Sequence, residues 1–268
     1  MARINVGKIT LNVEEVGKGP AFIFIPGLVG LLNAWQYQVK EFSKRYRCIS
    51  MDHRGAGESD CPPLDQYSTE AIAADVISLL DTLGIEKAHV AGTSTGGAIL
   101  QNLAIDYPDR LRCCIFSNTW TKADEYICRV QTARKQIALS KGVEAYVKVS
   151  SLFTNGAMQF RHNLDRVMEI ERRSLETIAS PEILAARLDM TMNHDRFDEL
   201  HKIKNPSLII GTRDDATVPY YFAEDLHAAI NGSRLIVVEE GGHYSFRRHP
   251  DEWNSLVSVF LEETEDQV

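Results

Sequence analysis

Short, unbroken apolar runs punctuate this chain, and between them lie longer segments whose apolar residues recur at helical spacing. Phe22-Ile23-Phe24-Ile25 and Leu208-Ile209-Ile210 are apolar at every position. A strand wetted on one face alternates apolar with polar residues, whereas a strand covered on both faces has no reason to. These runs therefore read as interior strands of a parallel sheet with helices on either side. The candidate strands are Ile9–Val16, Ala21–Ile25, Arg47–Met51, Ala88–Gly92, Leu111–Asn118, Ser207–Gly211 and Arg234–Val238. The candidate helices are Asn33–Phe42, Thr69–Leu83, Gly97–Tyr107, Tyr221–Ile230 and Pro250–Glu262. The second carries Ile72, Val76, Leu79, Leu80 and Leu83, a single stripe at 3.6-residue spacing. Strand and helix in alternation predict an α/β fold with a mostly parallel sheet. Between about Trp120 and His194 the alternation stops, leaving helical periodicity with no convincing strand.

Charge bounds the partners. The 268 residues include 29 Lys and Arg against 37 Asp and Glu, a formal −8 and a pI near 5.5. A mean field of that sign repels phosphate, so nucleic acid and anionic lipid are not expected partners. The charge is unevenly spread. Thr121 to Met190 holds 11 basic and 9 acidic residues, leaving 18 basic and 28 acidic to the rest. A helical insert near +2 thus sits on a body near −10, and it reads either as a solvated surface or as a cap that meets an anionic ligand. The five cysteines are odd in number, form no C-x-x-C, and include the adjacent Cys113 and Cys114, a pattern of reduced thiols. The start of the chain has no apolar signal core, so the Asn231-Gly232-Ser233 sequon is discounted. The longest apolar run, Ala21 to Leu32, is cut by Pro26, Gly27 and Gly30 and is too short for a bilayer. A cytoplasmic protein with a small-molecule substrate and no membrane partner is the expectation.

The densest chemical signal is Gly92-Thr93-Ser94-Thr95-Gly96, a G-x-S-x-G followed by Gly97. Chance yields such a pentapeptide in roughly one chain in ten of this length, given Gly and Ser each near ~7%. Its context carries the weight: it follows Ala88-His89-Val90-Ala91 and opens a helix rich in small and apolar residues. A strand-to-helix turn that sharp needs glycines beside the serine, exposes its hydroxyl, and aims a helix N-terminus at it. A serine hydroxyl is a weak nucleophile until a base removes its proton. Of eight histidines, His243 in Glu239-Glu240-Gly241-Gly242-His243 is in a glycine-rich loop after the last candidate strand. His89 falls in a strand, His53 and His249 near element ends, and His162, His194, His201 and His227 on polar helices or loops. The base needs an acceptor to fix its tautomer, and Asp214 and Asp215, after Leu208–Ile210, are both candidates. The order Ser, Asp, His is that of hydrolases with this nucleophile turn.

With these blocks in place, the chain resembles an α/β-hydrolase over nearly its full length. Ile25-Pro26-Gly27-Leu28 is similar to the family's oxyanion loop, and Asp52-His53-Arg54-Gly55-Ala56-Gly57-Glu58-Ser59 resembles its D-x-R-G-x-G-x-S turn. The resemblance implies an eight-stranded, mostly parallel sheet flanked by helices, with a helical cap inserted after the sixth strand. It implies a core domain of residues 1–119 and 195–268 and a cap of residues 120–194. It selects Asp215, four residues before Pro219, over Asp214, and assigns the oxyanion hole to the backbone N–H groups of Leu28 and Thr95. Pro26 stands where His is common, and Thr93 and Thr95 flank the serine where many relatives have other residues. The proline leaves the N–H of Leu28 in place, and the threonines preserve the N–H of Thr95. Within the superfamily, Ala74–Val90 and Phe116–Thr119 are similar to 3-oxoadipate enol-lactonases, and the Leu152-Phe153-Thr154 stretch to hydrolases acting on aminoacrylate or carbamate.

The expected mechanism is acyl-enzyme hydrolysis by Ser94, His243 and Asp215 of a small, carboxylate-bearing lactone, ester or amide. Trp120, Phe153 and Met192, with Tyr126, Met158, Phe160 and Met190, are candidates for an apolar pocket wall. Arg129, Arg134 and Arg161, with Arg166, Arg172 and Arg173, are candidates for gripping a carboxylate bidentately. No H-e-x-x-H pattern, P-loop or G-x-G-x-x-G occurs, so neither metal nor nucleotide cofactor is expected. Alternatives are a C–C bond hydrolase of the meta-cleavage type with the same triad, a carbamate- or aminoacrylate-type amide hydrolase, a cofactor-free lyase or oxygenase in which Ser94 is dispensable, and a non-catalytic ligand receptor. Nothing in the sequence decides between monomer and homodimer.

Overall fold

The computed structural model describes residues 1–264. One sheet of eight strands runs through it: β1 (Ala2–Asn5), β2 (Thr10–Val16), β3 (Ala21–Ile25), β4 (Arg47–Met51), β5 (Ala88–Thr93), β6 (Leu111–Ser117), β7 (Ser207–Thr212) and β8 (Arg234–Val238). Their spatial order is β1-β2-β4-β3-β5-β6-β7-β8. The pairs β1–β2 and β2–β4 are antiparallel and every other pair is parallel. This is the α/β-hydrolase arrangement that the sequence resemblance implies. β1 was not among the strands legible from periodicity, because Ala2-Arg3-Ile4-Asn5 is a short, largely exposed edge with no apolar run.

The unbroken apolar runs have a direct cause. Alternate residues of one strand point into two different cores. Ile23, Ile25, Val90, Phe116 and Ile209 pack on one side with Ile72, Val76, Leu79 and Leu80 of α2 (Thr69–Thr82) and Ile99 and Leu103 of α3 (Thr95–Asp106). Phe22, Phe24, Ala91, Ile115, Leu208 and Ile210 pack on the other with Val39 and Phe42 and with Trp253, Val257 and Phe260 near the end of the chain. That second core is aromatic, with Trp35 4.5 Å from Phe246 and 5.3 Å from Trp253 between ring centres. Truncating a residue such as Leu79 to Ala should cost roughly 2–5 kcal/mol through lost transfer energy and the cavity left behind.

Element ends shift by a residue or two from the sequence reading. The expected helix over Asn33–Phe42 is a 3₁₀ turn, Leu32–Trp35, leading into α1 (Gln36–Phe42). After β6 come the inserted helices. α4 (Glu125–His162) is broken at Gly142 (φ 80°) and Gly156 (φ 71°), and α5 (Leu164–Thr177) and α6 (Pro181–Asn193) follow. Two caps start these helices properly: Asp124 accepts from Ile127 N–H and Ser180 from Ile183 N–H. Lys122 and Asp195, at the two ends of the insertion, form a β-bridge and an ion pair. The chain then returns to the sheet through β7, α7 (Tyr221–Ala229) and β8, and closes with α8 (Pro250–Thr264). Among the described residues no helix is long and apolar enough to cross a membrane.

Candidate active site

Three loops at the carboxyl ends of β5, β7 and β8 carry the polar residues singled out above, the edge of a parallel sheet where ligands generally bind. Ser94 sits between β5 and α3 at φ 54°, ψ −122°, an unfavourable backbone for a residue with a side chain. Such strain costs on the order of 1–3 kcal/mol and persists only where the surroundings enforce it. Here they do. Ser94 N–H donates to Ser117 O at 2.9 Å, and Thr119 Oγ1 donates to Ser94 O at 2.8 Å. The glycines are required by close approach: a Cβ on Gly92 would lie 2.2 Å from Gly96 O, and one on Gly96 would lie 2.2 Å from Ile25 O. The second contact seats the turn against the loop that follows β3. A Cβ on Gly27 would stand 3.3 Å from Ser94 Cβ, so the Pro26-Gly27-Leu28 backbone borders the serine directly.

His243 is buried, and its Nδ1 lies 2.8 Å from Asp215 Oδ2. The other carboxylate oxygen of Asp215 accepts from the N–H groups of Thr217 (2.8 Å) and Val218 (3.0 Å), and Oδ2 also accepts from Asn118 Nδ2 (2.9 Å). A carboxylate ringed by donors leaves Nδ1–H as the donor to it, so Nε2 of His243 is the nitrogen with a free lone pair. Asp214, the rival, does other work. Its Oδ1 accepts from Gly242 N–H at 2.7 Å, holding the Gly241-Gly242 turn that delivers the histidine. Those two glycines adopt φ 125° and 58°, conformations that favour residues without a side chain.

The profile of the alpha/beta hydrolase fold family matches residues 20–250. The chain belongs to that family. This α/β hydrolase is 30% identical over 257 residues to a protein of Azorhizobium caulinodans named as a carbamate hydrolase, RutD, covering 96% of this chain and 97% of that one. It is 31% identical over 253 residues to the protein of that name from Caulobacter sp. strain K31, covering 92% and 94%. Among solved structures it is similar to the enol-lactonase of Burkholderia xenovorans LB400, with a TM-score of 0.89 and 25% identity over 97% of this chain and 100% of that one. It is also similar to a malate-bound thermophilic esterase from Thermogutta terrifontis, with a TM-score of 0.83 and 25% identity over 95% and 94%.

Two residues of this α/β hydrolase's site were not singled out from the sequence. Asn118, at φ 47°, gives Nδ2 to both Asp215 and Thr212 Oγ1 (2.9 Å each), and Ser245 Oγ accepts from Thr212 Oγ1 at 2.9 Å. The available signal was a polar Ser-Asn-Thr directly after an apolar interior strand beside the serine's own. His194, expected on a polar helix or loop, and His53, expected near a strand end, are both core residues. His194 is buried between Thr69 Oγ1 and Gln101 Oε1, and burial pulls it down to about 4. His53 is buried against Arg187, and burial first, then Arg187 and Arg54, hold it well below the usual range.

The pocket candidates separate by burial. Leu28 and Thr95 are buried beside Ser94 in sequence or space. Arg134 is buried and donates to Ser150 Oγ, Gln131 Oε1 and Tyr146 OH, all of them neutral. Arg129 is exposed and pairs with Glu125 one turn away, and Arg161 is also exposed. Trp120 is buried among Ala98, Ile127, Val218 and Phe222, Phe153 is half-buried, and Met192 accepts from Thr132 Oγ1. Arg248, ending the short helix Ser245–Arg248 that follows His243, is half-buried and donates to Gly241 O, Thr154 O and Asn155 Oδ1, with burial lowering its pKa. A separate cleft of about 560 Å³, lined by Leu64, Tyr67, Lys135, Glu182, Asp189 and Met190 among others, shares no lining residue with Ser94, Asp215 and His243.

Proposed function

We propose that this α/β hydrolase is a serine hydrolase working through an acyl-enzyme. The observation that carries the reading is the His243–Asp215 contact at 2.8 Å, at the same carboxyl edge of the parallel strands as Ser94 on its strained, glycine-flanked turn. In this reading Ser94 Oγ attacks the substrate carbonyl while His243 Nε2 takes its proton. Asp215 keeps the imidazole in that tautomer and stabilises the imidazolium. The N–H groups of Leu28 and Thr95 receive the oxyanion, each donor being worth roughly 10²–10³ in turnover. His243 then protonates the leaving group, and water, deprotonated by the same nitrogen, releases the acid.

The substrate we propose is small and carries a carboxylate or carbamate. Arg134 supports this reading: it is a buried cation whose neutral partners leave its charge uncompensated, and a ligand anion would supply the missing counter-charge. The relatives named as carbamate hydrolases, the enol-lactonase neighbour and the malate-bound esterase agree with an anionic acyl substrate. Residues 1–119 with 195–268 as core, and 120–194 as the cap that sets specificity, complete the proposal.

A panel of small lactones, esters and carbamates, each as free acid and neutral methyl ester, tests it. Turnover of an acidic member should fall by roughly 10⁴–10⁶-fold in Ser94→Ala. Wild-type rates in that variant would refute the nucleophile, and equal kcat/KM for acid and methyl ester would refute the substrate class.

A further inference from the structure

Arg187, on α6 of the insertion, is one of the largest side chains with almost no exposed surface, at 1%. Its Nε donates to Leu28 O at 2.8 Å, its Nη1 to Arg54 O at 2.9 Å, and its Nη2 lies 3.2 Å from His53 Nδ1. None of these partners is a carboxylate. Burial pulls the guanidinium down to about 10, so it stays charged at neutral pH, and the neutral His53 offers it a lone pair. A cation buried against carbonyls is costly, and a neutral side chain could fill the same volume. The guanidinium's distinguishing property is a rigid fork that can grip several acceptors at once.

What it grips is the loop beside Ser94. Residues Gly27 to Gly30 form a tight turn closed by Gly30 N–H donating to Gly27 O at 2.9 Å. The peptide between Gly27 and Leu28 is planar and trans, so with its carbonyl turned toward Gly30 its N–H, that of Leu28, points the opposite way, out of the turn. The guanidinium also walls the turn's other corner, since a Cβ on Gly30 would stand 2.3 Å from Arg187 Nη2. The Leu28 side chain packs with Ala138, Tyr146, Leu184 and Leu188 of the inserted helices. Both the carbonyl and the side chain of Leu28 are therefore held by the insertion and not by the sheet.

We propose that Arg187 is a positioning residue for the oxyanion donor: it locks the Gly27–Gly30 turn to the insertion so that the Leu28 N–H stays aimed at the space beside Ser94. This rests on the reading of Ser94 as nucleophile and Leu28 N–H as an oxyanion donor. It makes the hole a joint product of sheet and insertion, assembled only while α6 is docked.

The test uses Arg187→Lys and Arg187→Gln in the full chain, with p-nitrophenyl acetate as substrate and a fluorophosphonate both to titrate active sites and to time phosphonylation. Turnover per titrated site should fall roughly 10- to 100-fold in Arg187→Gln with KM within threefold, a part of one oxyanion donor's worth. Phosphonylation should slow by a similar factor, because the phosphonyl oxygen occupies the same hole. Lysine, which keeps the charge but gathers its donors on one nitrogen in place of the planar fork, should recover part of the loss. Turnover per titrated site within twofold of wild type in both variants would overturn the proposal. So would an unchanged kcat with a raised KM, which would make Arg187 a substrate or packing residue. If Arg187→Gln does not fold, Arg187→Lys decides alone: a kcat loss beyond twofold at unchanged KM supports the proposal, and turnover within twofold of wild type overturns it. Failure of wild type to be labelled at Ser94 would remove the nucleophile reading itself, a result distinct from labelled variants of full activity.

Discussion

Replacing Asp215 by Asn changes one atom and should nearly silence the enzyme, for a reason that can be worked atom by atom. The carboxylate accepts four hydrogen bonds: Thr217 and Val218 N–H on Oδ1, His243 Nδ1 and Asn118 Nδ2 on Oδ2. An amide has one acceptor atom to offer. If its oxygen stays toward the two backbone N–H groups, its NH₂ faces His243 Nδ1, which must then accept, and the ring proton moves to Nε2. If it flips, two buried N–H groups lose their partner at roughly 1–3 kcal/mol each. The first arrangement strands only the Asn118 amide, so it wins by the cost of about one buried donor. At 1.36 kcal/mol per decade that difference alone holds His243 in the wrong tautomer about 10- to 100-fold over. Loss of the imidazolium's counter-charge adds to it, and the same substitution in a serine-protease triad costs about 10⁴ in kcat. We expect a kcat loss of about 10³–10⁴ for Asp215→Asn, with melting temperature little changed. Asp214→Asn should lose less than tenfold, since an amide oxygen still serves Gly242 N–H. Steady-state kinetics with p-nitrophenyl acetate on both variants decides it. Asp215→Asn within tenfold of wild type, or Asp214→Asn as the worse variant, would refute the tautomer argument.

Gly96→Ala should disrupt the serine turn, because the methyl would sit 2.2 Å from Ile25 O and 2.7 Å from Pro26 O, both backbone; fluorophosphonate labelling of the folded fraction should drop at least tenfold. Arg134→Met should raise KM for an acidic substrate by roughly 10–100-fold, the worth of a charge-assisted contact, while changing KM for its methyl ester less than threefold. His194 gives a pH signature. Its folded value of about 4 lies below the ordinary 6.5, so the unfolded chain binds the extra proton, and stability present above pH 6.5 is lost as pH falls toward 4. The full loss is about 3 kcal/mol, and about 2 of it falls between pH 7 and 4.5. Urea unfolding of His194→Gln should show lower stability at pH 7 but a slope with pH shallower by about that amount, with buried His53 and His89 carrying the remainder. A slope identical to wild type would mean that His194 does not titrate on unfolding.

The sheet was legible because burial on both faces writes itself into composition: Phe22 and Phe24 face one core, Ile23 and Ile25 the other, and no polar residue fits between them. The serine turn was legible for a similar reason, since backbone atoms crowd Gly92 and Gly96 so closely that no other residue is tolerated. β1 was not legible, because an exposed edge strand of four residues imposes no apolar pattern. Asn118 was missed because its role depends on β6 lying between β5 and β7, a neighbour relation that no local spacing encodes. The buried His194 was missed for the opposite reason: its partners, Thr69 and Gln101, come from two other helices, and a lone histidine at a helix end looks polar until the fold brings them to it.

Net charge was the weakest guide to the insertion, and the structure explains why. Many of its basic residues are taken up in surface ion pairs. Arg129, Lys148, Arg172 and Arg173 lie exposed and pair with glutamates three or four residues away, interactions worth little in water. Such pairs cancel in the count and say nothing about a pocket. The discriminating property is burial without a carboxylate partner, and among the insertion's arginines only Arg134 and Arg187 are buried. Arg187 spends its donors on Leu28 O, Arg54 O and His53, leaving it committed to the protein's own backbone. Arg134 is held by a hydroxyl, an amide oxygen and a phenol, groups that orient a guanidinium without neutralising it. A basic tilt of +2 therefore reduces to two side chains of different purpose, one proposed to aim a backbone donor and the other to meet an anion. The substitutions Arg187→Gln and Arg134→Met should separate them cleanly, the first acting on kcat and the second on KM.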